Sequence, residues 1–485
     1  MHFSVVSKKS YDKKETLLVP LAADPKVTAR LNDTDRSFID AYIKDTEFSR
    51  KDTALIKIPE LGMTVLLCGI DSLTDSLANA VRSYSGRIES LTFEIEMFSQ
   101  FSLSEDSLVN SIVSAVLLGA DTGRSRRAVK LRSVTINVPD GSVEAYRDRF
   151  NRSIENNTAT RNARFMGNVL SSSLSAEDAS EAIRKGLSKR IRSRVIGLKE
   201  LKSLRLYGLA NMAEYSDEEP SLLVFEHKPE KGKTIVVCGS CLIDPTRTGE
   251  ERDRDVIGAA LVRSLCETYS VYEKDHHIVF LISLVRCDSS RAPSARDIRL
   301  ASGTSYTVST IEHLRSVMLA DAVYYASRYK PRIIASFAAE GLSHMLGYRI
   351  ITYVSNADVL KAPLEEAGRF VHERLWELPI ISLRQVHGEK HTIRLRAARA
   401  NAAFTNTMSL ELSTGGYPWM HVDLSSHVAS SRSRGLLSEG ATGIGAATMT
   451  EYLRRVSGEA VRHDGRAEES DTKRSTENAE PVEKD

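Results

Sequence analysis

The sequence predicts an α/β protein with a smaller N-terminal mixed α/β domain and a larger C-terminal domain, whose central mixed sheet is flanked by helices. Two observations predict this class. The first half alternates short β-rich runs with helical segments. The second half holds strands that are apolar at almost every position, which is typical of a sheet buried on both faces. Because the sequence from Asn151 to Ala163 is polar and rich in asparagine, we predict domains of residues 1–165 and 166–458.

The elements of the N-terminal domain follow from the spacing of apolar residues. Helical periodicity extends over Leu73–Tyr84 and over Leu108–Leu118, and an alternating strand, Ser133–Val138, ends at a turn with Gly141. The earlier β-rich runs are Phe3–Val6, Leu17–Leu21, Thr53–Ile58 and Met63–Cys68.

The C-terminal domain begins with a helix that Ser175 can cap, since Glu177 and Asp178 occupy its first turn. Further helices are predicted over Val256–Thr268 and His313–Arg328. The predicted buried strands are Leu222–Phe225, Thr234–Cys238, Ile278–Val285 and Arg332–Phe337. The final stretch, residues 459–485, contains 14 charged residues and only two large apolar ones, so we predict a disordered tail.

Composition excludes several classes of protein. The 485 residues include 66 basic and 64 acidic ones, and the net charge of +2 does not indicate a nucleic-acid-binding field. The most apolar stretches, Ser111–Ala120 and Thr234–Ile243, fall short of the roughly 18 residues that a membrane helix needs. A strand from Phe3 leaves no room for a cleaved signal or transit peptide, so we expect an intracellular, cytoplasmic protein without a membrane span.

The five cysteines form no disulfide framework, and their odd number favours a reducing compartment. Cys238 and Cys241 have the spacing of a redox or metal pair, but no second pair follows at zinc-site spacing. We interpret them as small residues at a crowded turn where a strand ends.

Several segments of the second half occur in a characteristic order. They include Asp255-Val-Ile-Gly258, Leu319-Ala-Asp321-Ala322, Trp376-Glu-Leu-Pro379 and the run Tyr417-Pro-Trp419-Met-His421-Val-Asp423. In combination they resemble the core of the M17 leucyl aminopeptidases. The resemblance is collinear over about 260 residues, and the first half matches in its pattern of elements. It implies two-domain hexamers that remove N-terminal residues from peptides by means of two metal ions.

The same resemblance indicates which positions the chemistry would need. The family's metal-binding lysine falls on Ser240, and the loop after Cys241 is shortened where the family carries a catalytic lysine. One ligand position is retained as Asp255. Of two further carboxylate positions, one falls on Glu312 and the other on Leu314, and the family's arginine falls on Ser316.

We therefore predict a catalytically inactive member of the family, a pseudoenzyme with a structural, assembly or scaffolding role. No catalytic residue, metal or cofactor is expected, and Asp255 and Glu312 are vestigial positions. His421 and Asp423 are expected to be hydrogen-bonded core residues. The expected assembly is a homohexamer, a mixed ring with active paralogues, or a place in a larger complex, with the segments at Trp376 and Trp419 supplying apolar surface.

Two alternatives remain open from the sequence. The first is a divergent metal-dependent aminopeptidase that uses Mn or Zn, with Asp244, Asp255 and Glu312 gathered around one cation. The second is a DNA- or RNA-binding hexamer, suggested by a basic segment at residues 184–194 and by three further arginines, Arg124, Arg126 and Arg127.

Overall fold

The computed structural model describes residues 1–8, 14–21, 33–58, 63–125, 127–227, 233–272, 276–291, 296–347, 349–380, 394–396 and 402–463. Mixed sheets and helices alternate through them, as the sequence predicted. Among these residues no single helix has the length and apolar character of a membrane span. The bent pair Ile95–Phe101 and Glu105–Gly119 passes that test only when the two are taken together.

The N-terminal sheet has six strands in the order β1-β6-β5-β2-β4-β3, with β3 antiparallel to β4 and every other pair parallel. Leu17, Leu66 and Phe93 lie in its apolar core. The strands are β1 (His2–Val6), β2 (Thr16–Leu21), β3 (Thr53–Ile58), β4 (Met63–Gly69), β5 (Ser90–Glu94) and β6 (Ser133–Asn137). Its helices are α1 (Asp33–Asp45), α2 (Leu73–Tyr84) and α3 (Glu105–Gly119).

The central C-terminal sheet has eight strands in the order β15-β14-β17-β13-β9-β10-β8-β7, so β15 and β7 are its edges. Strands β9, β10, β13 and β17 run parallel to their neighbours within that set, whereas β7, β8 and β14 introduce antiparallel pairs. The bounds are β7 (Ile191–Ile196), β8 (Ser221–His227), β9 (Ile235–Ile243), β10 (Ile278–Arg286), β13 (Ile333–Ala338), β14 (Ile350–Ser355), β15 (Arg374–Glu377) and β17 (Trp419–Asp423).

Smaller strands and the remaining helices surround this sheet. Strands β11 (Arg296–Arg299), β12 (Ser305–Val308) and β16 (Arg394–Arg396) form one small sheet, and β18 (Ala429–Ser430) pairs with β19 (Gly440–Ala441). The helices are α4 (Val143–Leu170), α5 (Ala176–Arg184), α6 (Leu198–Ser203), α7 (Tyr207–Ala210), α8 (Gly249–Tyr272), α9 (Ile311–Ala326), α10 (Lys361–Val371), α11 (Ala402–Ser413) and α12 (Ala446–His463).

The two faces of the eight-stranded sheet are covered by different helices. Val237 and Cys241 of β9 contribute to an apolar cluster with α8 and α12, whereas Val236 and Cys238 contribute to a cluster with α9. Successive strand residues point to opposite faces, which explains this alternation. The nearly continuous apolar strands of the sequence are therefore buried on both sides, as predicted.

The asparagine-rich stretch, from which we predicted the domain boundary, lies within a helix. Helix α4 continues through residues 151–163. Asn156 and Asn157 are buried because they have partners: Asn156 donates to Glu451, and Asn157 donates to Asn110 of α3. The apolar cores separate along this helix, with Phe150 in the N-terminal core and Met166 in the C-terminal core. The boundary at residue 165 itself stays a prediction.

The predicted tail begins too early. Helix α12 extends to His463, past the predicted start at Glu459, since Ala460 and its neighbours are compatible with helix continuation. Residues 464–485 lie outside the described residues.

Candidate functional site

The candidate site lies where β9 ends and where α8 and α9 begin. Asp244 directly follows β9, Asp255 lies in α8, and Glu312 lies in the first turn of α9. Three elements thus bring three carboxylates to one place, and Arg247, from the loop between β9 and α8, lies between them.

The guanidinium of Arg247 contacts all three carboxylates. Its Nη2 donates to Glu312 Oε1 at 2.5 Å, and its Nη1 donates to Asp255 Oδ1 at 3.3 Å. Its Nε lies 3.6 Å from Asp244 Oδ2. The Arg247 side chain is only 12% exposed, so these contacts are partly screened from water.

A second arginine, Arg315, reaches the same site from α9. Its Nη1 donates to Asp255 Oδ1 at 2.8 Å, and both side chains are buried. Asp255, which the sequence predicted as a ligand position, therefore pairs with two guanidinium groups.

The local pKa values reflect burial and these ion pairs. Burial raises the pKa of Asp255 to about 6, although Arg315 and Arg247 favour its ionised form. Burial opposes ionisation of Glu312, but hydrogen bonds from Arg247, the backbone and Thr310, together with the charge of Arg247, outweigh it and lower the pKa of Glu312 to about 2. Burial disfavours the charged form of Arg247, yet Asp255 and Glu312 raise its pKa above the ordinary value.

The other three predicted positions carry no metal-binding group. Ser240 is buried within β9, and Leu314 is fully buried in the apolar cluster beneath α9. Ser316 donates from its Oγ to the buried carboxylate of Glu340, at 3.2 and 3.1 Å from the two oxygens. Glu340 also accepts from Asn406 Nδ2 at 2.6 Å, and burial raises its pKa.

These residues do not fit the two-metal centre that the family resemblance implies. Such a centre needs several oxygens that converge on two neighbouring dications. Here the oxygens of Asp255 and Glu312 accept from guanidinium groups. Within the described part of the chain, no group of three or more His, Cys, Asp or Glu side chains is placed to hold a metal ion.

His421 and Asp423 are hydrogen-bonded core residues, as predicted. Asp423 is fully buried and accepts from the backbone N–H groups of Glu340 at 2.7 Å and Ser343 at 2.8 Å. His421 Nδ1 lies 3.0 Å from Ser336 Oγ, which also accepts from Trp419 Nε1 at 2.9 Å. These bonds hold the chain beyond β13 against β17.

Asp321 in the Leu-Ala-Asp-Ala segment has a similar structural role. Its fully buried carboxylate accepts from the backbone N–H groups of Leu209 at 2.9 Å and Ala301 at 3.0 Å. It therefore fastens helix α7 and the loop after β11 to α9, and it lies outside the arginine-carboxylate cluster.

The cysteine pair does not lie at a turn, so that part of our interpretation was wrong. Strand β9 continues to Ile243 and includes both Cys238 and Cys241. Residues three apart in a strand point to opposite faces, and these two belong to different apolar clusters. They cannot share a metal or form a disulfide, which agrees with the prediction that they carry no chemistry.

Some of the basic residues that suggested nucleic-acid binding are exposed, and others are paired with groups of the protein. Lys189, Arg192 and Arg194 are exposed on or beside the edge strand β7. Arg124, in contrast, pairs with Asp253 at 2.7 Å, and Arg127 donates to the backbone oxygen of Arg82. Arg126 lies outside the described residues.

Sequence reasoning did not identify Arg247 as the partner of Asp255 and Glu312, nor Glu340 as the partner of Ser316. A signal for Arg247 was available, because it follows Asp244 by three residues in the loop that the family comparison marked as shortened.

Comparison with known proteins agrees with the fold described above. Residues 160–450 match the model of the cytosol aminopeptidase family, catalytic domain. A probable cytosol aminopeptidase of Chlorobium limicola is 25% identical over 414 residues, which cover 78% of this chain and 82% of the relative. A probable cytosol aminopeptidase of Syntrophobacter fumaroxidans is 28% identical over 278 residues; that match spans 54% of this chain and 55% of the relative's length.

Two solved structures share the fold at low sequence identity. A tomato leucine aminopeptidase mutant superposes with a TM-score of 0.75 at 18% identity, covering 94% of this chain and 97% of its own. The bottromycin maturation enzyme BotP superposes with a TM-score of 0.73 at 18% identity, covering 92% of this chain and 99% of its own. A structure of BotP in complex with Mn has the same TM-score.

Proposed function

Because the chain belongs to the cytosol aminopeptidase family but pairs its site carboxylates with arginines, we propose that it is a non-catalytic member with a structural or assembly role. The observation that carries this proposal is the engagement of Asp255 and Glu312 by Arg247 and Arg315. A carboxylate that already accepts from a guanidinium is not free to bridge two dications.

The changes at the other positions support the same conclusion. Peptide hydrolysis requires stabilisation of the negative charge that develops on the attacked carbonyl oxygen. Leu314 and Ser240 offer no anionic oxygen, and the hydroxyl of Ser316 is bonded to Glu340. Loss of one such electrostatic group typically costs about a hundredfold to a thousandfold in rate, and here several are absent together.

An assembly role is supported by apolar surface that the fold leaves exposed. Trp376 is 57% exposed on β15, an edge strand of the large sheet. A closed homo-oligomer or a larger complex would bury such a surface. The segment at Trp419 was also expected to supply apolar surface. Its ring does not, because Trp419 is fully buried within the domain. We extend to this chain, as part of the proposal, the hexameric ring or mixed complex expected from the family and an intracellular location.

The test is hydrolysis of leucyl and other aminoacyl amides with Mn²⁺, Zn²⁺, Co²⁺ or Mg²⁺ supplied. The Chlorobium limicola relative, assayed in parallel, is the positive control. We expect only background turnover from this protein. Turnover well above background that disappears in Asp255→Ala would contradict the proposal and would favour the alternative, a divergent metal-dependent aminopeptidase.

A further inference from the structure

We propose that the guanidinium groups of Arg247 and Arg315 hold the site carboxylates together in place of the family's metal ions. We further propose that removing Arg247 creates a site for one divalent cation. The inference rests on the proposed function, because it assumes that the family's metal pair is absent. It goes further by assigning the stabilising role of that pair to two side chains of this protein.

The geometry gives Arg247 the cross-linking role of a bridging ion. A guanidinium is planar and directs its N–H groups outward in a fixed fork. Its three nitrogens face carboxylates from three places: Asp244 after β9, Asp255 in α8 and Glu312 in α9. One side chain thereby joins the end of a central strand to two helices that cover opposite faces of the sheet.

The loop that carries Arg247 is itself ordered by the site. Asp244 Oδ1 accepts from the backbone N–H of Thr246 at 2.9 Å and from its Oγ1 at 2.6 Å. This short turn brings the next residue, Arg247, back toward the carboxylates. The turn places the cation without the longer loop that the family resemblance implies.

Charge balance indicates what removal of Arg247 would leave. Counted as ionised, Asp244, Asp255 and Glu312 carry three negative charges, which Arg247 and Arg315 offset by two. Of these two arginines Arg315 then remains, and it contacts Asp255. Uncompensated buried carboxylates are destabilising, and a single divalent cation with oxygen ligands would restore the balance.

The carboxylates must converge for that site to form, since no three of them are now placed to hold a metal. Glu312 can supply the movement. Its side chain is 45% exposed and lies in the first turn of α9, so it can turn inward once the guanidinium is gone. Asp244 and Asp255 are buried at fixed positions in the loop and in α8.

The test compares thermal unfolding and Mn²⁺ binding in the full chain, freed of metal by a chelator. For the wild type we expect no change in melting temperature with about 1 mM Mn²⁺ and no binding heat. For Arg247→Ala we expect a lower melting temperature that Mn²⁺ raises by several degrees, with about one ion bound per chain. Adding Asp255→Asn should abolish the Mn²⁺ effect.

Two further variants keep the experiment decisive. Arg247→Gln retains a polar side chain and should respond to Mn²⁺ in the same direction, which serves if Arg247→Ala does not fold. Arg296→Ala removes an arginine whose pair with Glu214 is exposed, and it should show neither effect.

The outcomes separate this inference from the proposed function. Stoichiometric Mn²⁺ binding by the wild type would overturn the inference and the absence of the metal pair together. Unchanged stability of the Arg247 variants, or lost stability without a Mn²⁺ response, would overturn the inference alone and leave the lack of catalysis standing.

Discussion

Arg315 donates to Asp255 across 2.8 Å inside the C-terminal domain, and neither side chain is more than 6% exposed. Asp255 is a position at which the sequence predicts a family metal ligand, and it faces a positive charge carried by the neighbouring helix. The aspartate predicted at a ligand position is thus part of an internal ion pair.

Removal of Arg315 should destabilise the folded protein. We expect Arg315→Met to lower the free energy of unfolding by about 3–5 kcal/mol, because it leaves the Asp255 carboxylate buried with less compensation. Urea unfolding followed by circular dichroism measures this. Arg296→Met, which breaks an exposed pair, should cost no more than about 1 kcal/mol. Equal losses of unfolding free energy in the two variants would show that the buried pair stabilises the protein no more than the exposed pair.

His421 should make the protein sensitive to acid. Burial lowers the pKa of His421 from 6.5 to about 4 in the folded protein. The unfolded chain therefore binds the proton more readily, so stability falls as the pH drops from about 6.5 toward 4, by up to about 3 kcal/mol. His421→Gln should unfold with a smaller pH dependence over this range. Parallel pH profiles for both proteins would refute the assignment.

The thiols should be inert in the native protein. All five cysteines are buried, and burial raises the pKa of Cys68 and Cys266 to about 12 and that of Cys287 to about 11. Because the thiolate is the reactive form, we expect no rapid reaction with Ellman's reagent at about pH 8 and five equivalents after denaturation. One fast equivalent in the native state would point to an accessible thiol.

Trp376 offers a test of assembly. If its exposed ring lies in a subunit contact, Trp376→Arg should shift the protein from an oligomer toward the monomer of 53.7 kDa in mass photometry. The exposed Tyr207→Arg variant is the matched control and should leave the oligomer intact. A wild-type protein that is already monomeric would contradict the assembly role.

The sequence predicted the fold well because the fold depends on apolar periodicity. The continuous strands and helices such as Leu73–Tyr84 were correctly placed. Apolar periodicity carries no information about polar residues that are buried with specific partners. The asparagines of α4 resemble a loop in sequence, and only the contacts with Glu451 and Asn110 explain why they lie inside a helix.

The position of the candidate site could be predicted from the sequence, but the contacts within it could not. Family order pointed to Asp255 and Glu312, which the structure brings to Arg247. The loss of ligands at Ser240 and Leu314, and of the arginine at Ser316, stays a prediction. No local pattern indicated that Arg247 would meet all three carboxylates, because Glu312 is 65 residues away from it in sequence. Contacts at such separations are set by tertiary packing.

Helix α4 has a consequence for how the protein can be divided. Its 28 residues run about 42 Å, and it contributes Phe150 to one apolar core and Met166 to the other. A cut at residue 165 would split this helix and leave each fragment with a frayed end and an uncovered core. Both domains pack against helix α4, so neither domain is expected to fold correctly with only its own part of that helix.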